Sequence, residues 1–447
     1  MKSSPQSPYA WMPSLYFAEA VPYAVVMTLS MYIYFDMGLT NTQLALYTSW
    51  LYLPWVVKPL WSPLVDALRT KRWWIVSMQI VIAAALSGVT FTLSSSFWLT
   101  ASLLAFWLMA FSSATHDIAA DGFYILALKE EDQAFYVGWR STAYKLGTLF
   151  VTGLLVAFVG GLKDGYLSVP YYSFSNAQWI DFLINLPKLS PVQAWMTGTG
   201  ILAALMTLLV MWHYKSLPSV EQMETIEKRS EAIARPSELL KAFRKTLHVF
   251  FSKPGVLAAL FFMLLFRFPE AQLAKMAQPF MQRELLEGGL ELSTTAVGFA
   301  YGTIGLIGLL FGGIVGGYLV SRHGLRRWWW PMVMAISIPD LVYVYFALCQ
   351  PTNIYLIYIG VALEQLGYGF GFTAYSLFLV YFSRGERSTS VFSLCTALQA
   401  LGMMLPGMMA GWLADTLGFT LFFAFVSVCC LITFAVSALV KLPEEKS

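Results

Sequence analysis

Asp66-Ala-Leu-Arg69-Thr-Lys71-Arg72-Trp73-Trp74 returns 255 residues later as Ser321-Arg322-His323-Gly324-Leu325-Arg326-Arg327-Trp328-Trp329. In both copies two adjacent cations precede a tryptophan pair, and an apolar run follows. The same offset pairs Lys129 with Arg384, Glu131 with Glu386 and Gly147 with Gly402. A constant spacing over so long a stretch is the mark of a duplication. A looser match, at an offset of 251, sets Phe17-Ala-Glu19-Ala20 against Phe268-Pro-Glu270-Ala271. Two related halves, each of several apolar segments, are the pattern of secondary transporters, which bind their solute between the halves near the bilayer midplane.

Composition sets the solvent around these halves. The chain has 447 residues, 58% hydrophobic and 12% charged, with a mean hydropathy of +0.63. Soluble domains carry about 25% charged residues, so most of this outer surface must face something other than water. Ile75–Leu93, Phe97–Thr115 and Phe419–Val440 contain no charged residue. Each is long enough to cross about 30 Å of hydrocarbon as a helix. The pattern predicts an all-α integral membrane protein of twelve transmembrane helices, over 11–33, 43–65, 73–93, 97–128, 134–159, 193–213, 254–281, 293–320, 328–348, 353–383, 388–413 and 419–441. They group as two pseudo-symmetric six-helix bundles, 1–213 and 254–447, joined by a linker, 214–253. The linker's second part, Ser237 to Phe251, sets Leu239, Phe243 and Leu247 against Lys241, Arg244 and Lys245, an amphipathic helix suited to the membrane surface.

Charge sets the orientation. Twenty of the 28 Lys and Arg residues fall in one set of alternate loops and only Lys163, Lys188 and Arg283 in the other. The positive-inside rule then places both termini in the cytoplasm. The first apolar segment lacks the start and the cleavage site of a leader and is read as retained. The loop 160–192 lies on the far side. It is aromatic, and either covers the mouth of the protein or packs on itself. The four cysteines show no metal-ligand spacing and no disulfide framework. The small net charge of +3 gives no basis for nucleic-acid binding. No P-loop, zinc spacing or serine-nucleophile motif is present, so no enzyme and no metal or other cofactor is expected. Expected partners are a small-molecule substrate, protons and lipid, and the protein is taken as a monomer.

The second-half repeat, Gly317-Tyr-Leu-Val-Ser321-Arg322-His323-Gly324-Leu-Arg326-Arg327, resembles the GxxxDRxGxRR loop signature of the major facilitator superfamily, with Ser321 in place of Asp. The first copy keeps Asp66 but not the glycines. On this resemblance Asp66, Arg69, Lys71, Arg72, Arg322, Arg326 and Arg327 form gating loops that hold the ends of neighbouring helices; the alternative is an anchor at the basic face. Two further segments, Lys58-Pro-Leu-Trp61-Ser-Pro63-Leu-Val-Asp66 and Ala114-Thr115-His116-Asp117-Ile118-Ala-Ala-Asp121, followed by Tyr144-Lys145-Leu146-Gly147, resemble the AmpG-type muropeptide permeases. There the pattern reads K-x-LWSPL-x-D, QDI-x-x-D and Y-R-L-G, so His116 and Lys145 depart from it. The resemblance implies the major facilitator fold, a bacterial inner membrane, and proton-driven uptake of an anhydro-muropeptide or related anionic amino-sugar. The proton gradient takes the place of a cofactor. Siderophore, sugar and acyl-coenzyme A permeases share the fold, and a non-transporting membrane sensor is the reading of another class.

Eleven ionisable residues lie well inside the predicted spans: Glu19, Lys58, Asp117, Asp121, Arg140, Lys145, Arg267, Glu270, Lys275, Asp340 and Glu364. Each costs a few kcal/mol at the bilayer centre unless paired or wetted, so together they imply an aqueous cavity. Asp117 and Asp121 share one helix face. With Glu19 and Glu270 they are the proton-coupling candidates; the alternative for Asp121 is an ion pair with Lys58. Arg140, Tyr144, Lys145, Lys58, Arg267, Glu364, Tyr368 and Gln399 are the substrate-binding candidates. Arg140 and Lys145 either bind an anion or neutralise the first-half carboxylates. Arg267 and Glu270, three apart, suit a mutual pair. Lys275 is expected to attract anions or snorkel outward, and Asp340 to be structural.

Overall fold

Proline and glycine cut the apolar runs into helices whose ends coincide with the charged loops. In the computed structural model, which describes residues 7–128, 130–173, 178–219 and 236–442, the first half runs α1 (Pro8–Asp36), α2 (Asn41–Trp50), α3 (Leu53–Leu68), α4 (Lys71–Thr92), α5 (Trp98–Ala127), α6 (Glu130–Leu149), α7 (Val156–Asp164) and α8 (Pro191–Ser216). After α9 (Pro236–Phe251) the second half runs α10 (Val256–Leu265), α11 (Phe268–Gln282), α12 (Thr294–His323), α13 (Leu325–Cys349), α14 (Ile354–Ser383) and α15 (Ser388–Leu439). Among the described residues nine helices are long and apolar enough to cross a bilayer. Of the most apolar stretch of α12 only 22% is buried. Phe91, Leu104 and Leu431 stand exposed on other helices. Apolar side chains turned outward on this scale are stable only in lipid, so the chain is a multi-pass membrane protein.

Breaks within helices have local causes. Pro269 lacks the N–H of a helix interior, and Arg267 before it leaves helical geometry (φ −100°, ψ 19°), separating α10 from α11. Gly418 turns with φ 73° between two straight limbs of α15. By contrast α14 is unbroken despite its glycines, because they serve close packing. A Cβ on Gly369 would meet the Leu309 carbonyl oxygen of α12 at 2.0 Å. The linker helix α9 forms where amphipathicity places it; residues 220–235 of the linker lie outside the described residues.

The repeat partners Gly147 and Gly402 do the same work. A Cβ on Gly147 would sit 2.7 Å from the Phe17 carbonyl oxygen, and one on Gly402 2.7 Å from that of Leu264. Each glycine thus lets a helix lie against the first helix of its own half. Between the halves, the π-helical segments Phe150–Leu155 and Gly298–Gly305 meet at Gly153 and Gly302.

The face opposite the basic loops is tied by bonds between the halves. Asp415 of α15 accepts from Asn41 Nδ2 (2.8 Å), the Thr42 amide (2.9 Å) and the Thr42 hydroxyl (2.6 Å). Asp36 accepts from Lys163 Nζ and Trp195 Nε1, both at 2.6 Å, and Lys163 also reaches Thr294 of α12 at 2.7 Å.

An all-α reading needs one correction. Tyr166–Ser173 (β1) and Gln178–Asn185 (β2) pair antiparallel, Tyr166 opposite Asn185. Both segments are rich in aromatic and β-branched residues, which favour an extended pleated ribbon. The Leu186 amide bonds the Gly165 carbonyl (2.9 Å), closing the ribbon on the end of α7.

Candidate functional site

A cavity of about 340 Å³ lies at the centre of the molecule, walled by α1, α6, α11, α12 and α14 with Tyr52 and Met403. The break before α11 turns Arg267 into it. Glu270, Lys275 and Gln278 follow along α11, and Glu364 and Tyr368 face them from α14. All except Tyr368 are buried side chains, and Tyr368 is partly buried.

Arg267 donates to the Tyr368 hydroxyl, and its guanidinium lies over the rings of Tyr368 (5.4 Å) and Phe372 (5.0 Å). Its Nε is buried without a partner. The expected Arg267–Glu270 ion pair does not form: the guanidinium is drawn to the aromatic wall of α14. Glu270 instead joins Glu364 and Asp340, one carboxylate oxygen from each lying within 4.8 Å of the others. Gln365 donates to both oxygens of Glu364 at 3.1 and 3.0 Å, while Glu270 Oε2 is buried and unpartnered. Asp340, expected to be only structural, is a buried member of this trio, because the 3₁₀ turn Ile338–Asp340 in α13 swings it inward. Three carboxylates this close in a low dielectric cannot all carry charge at once.

Of the two expectations for Lys275, outward snorkelling does not occur: the side chain is 4% exposed. Its ammonium donates to Thr48 Oγ1 at 2.9 Å and lies 5.4 Å from the Tyr52 ring centre, both in the first half. The bend between α2 and α3 brings Tyr52 to meet it.

A second group of charges lies in the first half. Glu19, Asp117 and Asp121 bring carboxylate oxygens within 4.8 Å of one another. Lys58 donates to Asp117 and Arg140 to Asp121, so the expected alternative of a Lys58–Asp121 pair gives way to a different pairing. Arg140 also stacks over Tyr16 at 4.5 Å and Tyr124 at 5.5 Å. Glu19 Oε2 is buried with no partner. The repeat partners Glu19 and Glu270 therefore each sit in a trio of acids, with two bonded cations in the first half and, among the described residues, none in the second.

With the geometry in place, the comparisons agree with it. The Major Facilitator Superfamily model matches residues 271–447. The anhydromuropeptide permease of Escherichia coli (strain K12) is 24% identical over 380 residues, covering 83% of this chain and 67% of that one. An AmpG-named transporter of Rickettsia conorii is 22% identical over 397 residues, 85% of this chain and 83% of the relative. The solved nucleoside transporter NupG superposes with a TM-score of 0.66 at 13% identity, over 97% of this chain and 99% of that one. A bacterial homologue of the human lysosomal transporter Spinster gives 0.61 at 16%, over 98% and 96%.

The chain is similar to the major facilitators, and to AmpG-named permeases in particular.

Such facilitators are transporters rather than enzymes. In this chain Tyr144, Lys145 and Gln399 do not line the central cavity. Lys145 is half-buried with no ion pair among the described residues. The loops resemble the family signature, but their described bonds stay within one half. Arg72 donates to the Tyr214 carbonyl (2.5 Å) and Ser219 Oγ (2.8 Å) at the end of α8. Arg69 lies over Trp73 and Arg322 over Tyr318. Lys71 is buried against Gly122. Arg326 and Arg327 are exposed, and the side chain of Asp66 falls outside the described residues.

Sequence reasoning missed a buried relay in the chain's first half. Gln79 donates to His116 Nε2 (2.9 Å) and accepts from His213 Nδ1 (2.9 Å), while His213 Nε2 lies 3.0 Å from Ser14 Oγ. It joins α1, α4, α5 and α8 through polar groups, with His116 Nδ1 left buried and unpartnered. The only sequence signal was His116 standing where the family has Gln.

Proposed function

We propose that this chain is a proton-coupled importer, by alternating access, of an anhydro-muropeptide or a related anionic amino-sugar across a bacterial inner membrane. The observation that carries the reading is the central cavity, lined by the buried cations Arg267 and Lys275 and by Glu270 and Glu364, two members of the acid trio. Cations there suit an anionic solute. Acids too close to ionise together suit a group that takes up and gives back protons. The names of the similar permeases supply the muropeptide.

In this reading the chain crosses the bilayer twelve times as two six-helix bundles, 1–213 and 254–447, with 214–253 as a cytoplasmic linker. The nine candidate spans are completed by α2 with α3, by α14, and by counting the two limbs of α15 separately. Both termini are cytoplasmic, as the basic loops require, and a monomer suffices. The bonds of Lys163 to Thr294 and of Asp415 to Asn41 and Thr42 then close the outer face, and the two halves rock about the cavity. The basic loops around Arg69, Lys71, Arg72, Arg322, Arg326 and Arg327 act as gates at the inner face. Glu270 and Glu19 carry the coupling proton, because Asp117 and Asp121 are already paired with Lys58 and Arg140. Arg267, Glu364 and Tyr368 contact the solute.

Proteoliposomes with an inward proton gradient test this directly. Accumulation of labelled anhydro-muropeptide above its outside concentration, abolished by a protonophore, is expected. Accumulation of a siderophore, neutral sugar or acyl-coenzyme A ester in its place would reassign the cargo. Binding without translocation would indicate a sensor.

A further inference from the structure

Arg267 and Lys275 are separated by eight residues on the wall of the central cavity. Eight residues of helix rise by about 12 Å. Arg267 is 8% exposed and Lys275 4%. Neither forms an ion pair among the described residues; their hydrogen-bond partners are Tyr368, Thr48 and the sulfur of Met31. The carboxylates between them, Glu270 and Glu364, are turned to Asp340 and Gln365. A buried cation with no counter-ion is costly, and here there are two, with the unpartnered Arg267 Nε beside the cavity. Both side chains line the same cavity, which gives anionic groups of a solute a place to sit.

We infer that the cavity holds an elongated solute with two anionic groups, one seated on Arg267 and the other on Lys275, and that Lys275 sets specificity for the second. The inference deepens the transport reading and rests on the cavity being the solute site. Arg267 offers a planar fork to a carboxylate or phosphate, with Tyr368 and Phe372 fixing its plane. Lys275 is a point charge braced by Thr48 of the opposite half. An anion there touches both halves at once, which links solute binding to their relative position. A solute with one charge satisfies one end and leaves the other cation bare.

The test uses the full-length purified protein and a graded series of N-succinyl oligoglycines, each carrying a carboxylate at both ends, with their C-terminal amides, which carry one. Binding is read by calorimetry. One length of diacid is expected to bind about tenfold or more tighter than its amide, the worth of one charged hydrogen bond. In Lys275→Gln that preference is expected to vanish. Equal binding of diacid and amide at every length, no binding by any member, or a preference that survives Lys275→Gln would each overturn the inference. The diacid–amide comparison needs no variant, so misfolding of Lys275→Gln does not obscure it. The probes contain no sugar, so failure of muropeptide uptake leaves this result readable, and the reverse also holds.

Discussion

The carboxylate of Asp340 lies against that of Glu270, on a helix far from it in sequence, with Glu364 completing the group within 4.8 Å. No cation pairs with any of the three among the described residues, so protons are the natural partners of this site. Asp340→Asn and Glu270→Gln are expected to lower gradient-driven uptake by roughly 5–150-fold, the range for a coupling free energy of 1–3 kcal/mol. Solute exchange without a gradient should persist in both. Gradient-driven uptake that survives both substitutions would remove the trio from the coupling mechanism.

The first half behaves differently because its acids are paired. Lys58→Met strands Asp117 in a half-buried site and is expected to destabilise the protein by about 1–3 kcal/mol, less than for a fully buried pair because both partners keep some solvent. Adding Asp117→Asn should recover much of that loss. Thermal unfolding in detergent measures both; a double variant no more stable than the single one contradicts the pairing.

Much of the fold was legible in the sequence, and the reasons are physical. Apolar length and loop charge follow from the bilayer, so helix positions and the basic face could be read directly. The repeat named Gly147 and Gly402 as equivalents before their shared close approach was known. Pro269, which lacks the N–H a helix interior needs, stands at the break before α11. What could not be read was partner choice among charges separated by hundreds of residues. Spacing put Arg267 with Glu270, but the aromatic face of Tyr368 and Phe372 competes for it. Asp340 looked peripheral because nothing local announces a 3₁₀ turn that redirects one side chain. Lys275 was expected to attract anions or to snorkel, and only the bend at Tyr52 supplies its polar and aromatic partners.

The glycine pair gives a packing test. Gly147→Ala places a methyl group 2.7 Å from the Phe17 carbonyl oxygen and 2.8 Å from Ala20 Cβ, and is expected to cost about 1–3 kcal/mol by overpacking. Gly138→Ala, on the same helix with nothing within 4 Å of the new atom, is expected to be neutral or to stabilise by about 0.5–1 kcal/mol. Equal unfolding temperatures for the two variants would contradict the packing of α6 on α1.

The bonds of Asp415 to Asn41 and Thr42 close the face opposite the basic loops. Asp415→Ala is expected to open that face more often. A single cysteine at Gln278, on the cavity wall, with the four native cysteines replaced by serine, should then react faster with an impermeant maleimide added from that side. An unchanged rate means that the contact does not gate the cavity.

Coupled flux is the central claim, and a pH-sensitive dye sealed inside proteoliposomes measures it most directly. With no pH difference imposed at the start, anhydro-muropeptide added outside is predicted to acidify the lumen, as protons enter with the solute. Glu270→Gln is predicted to abolish that signal. Solute entry with no change in lumenal pH would contradict the account.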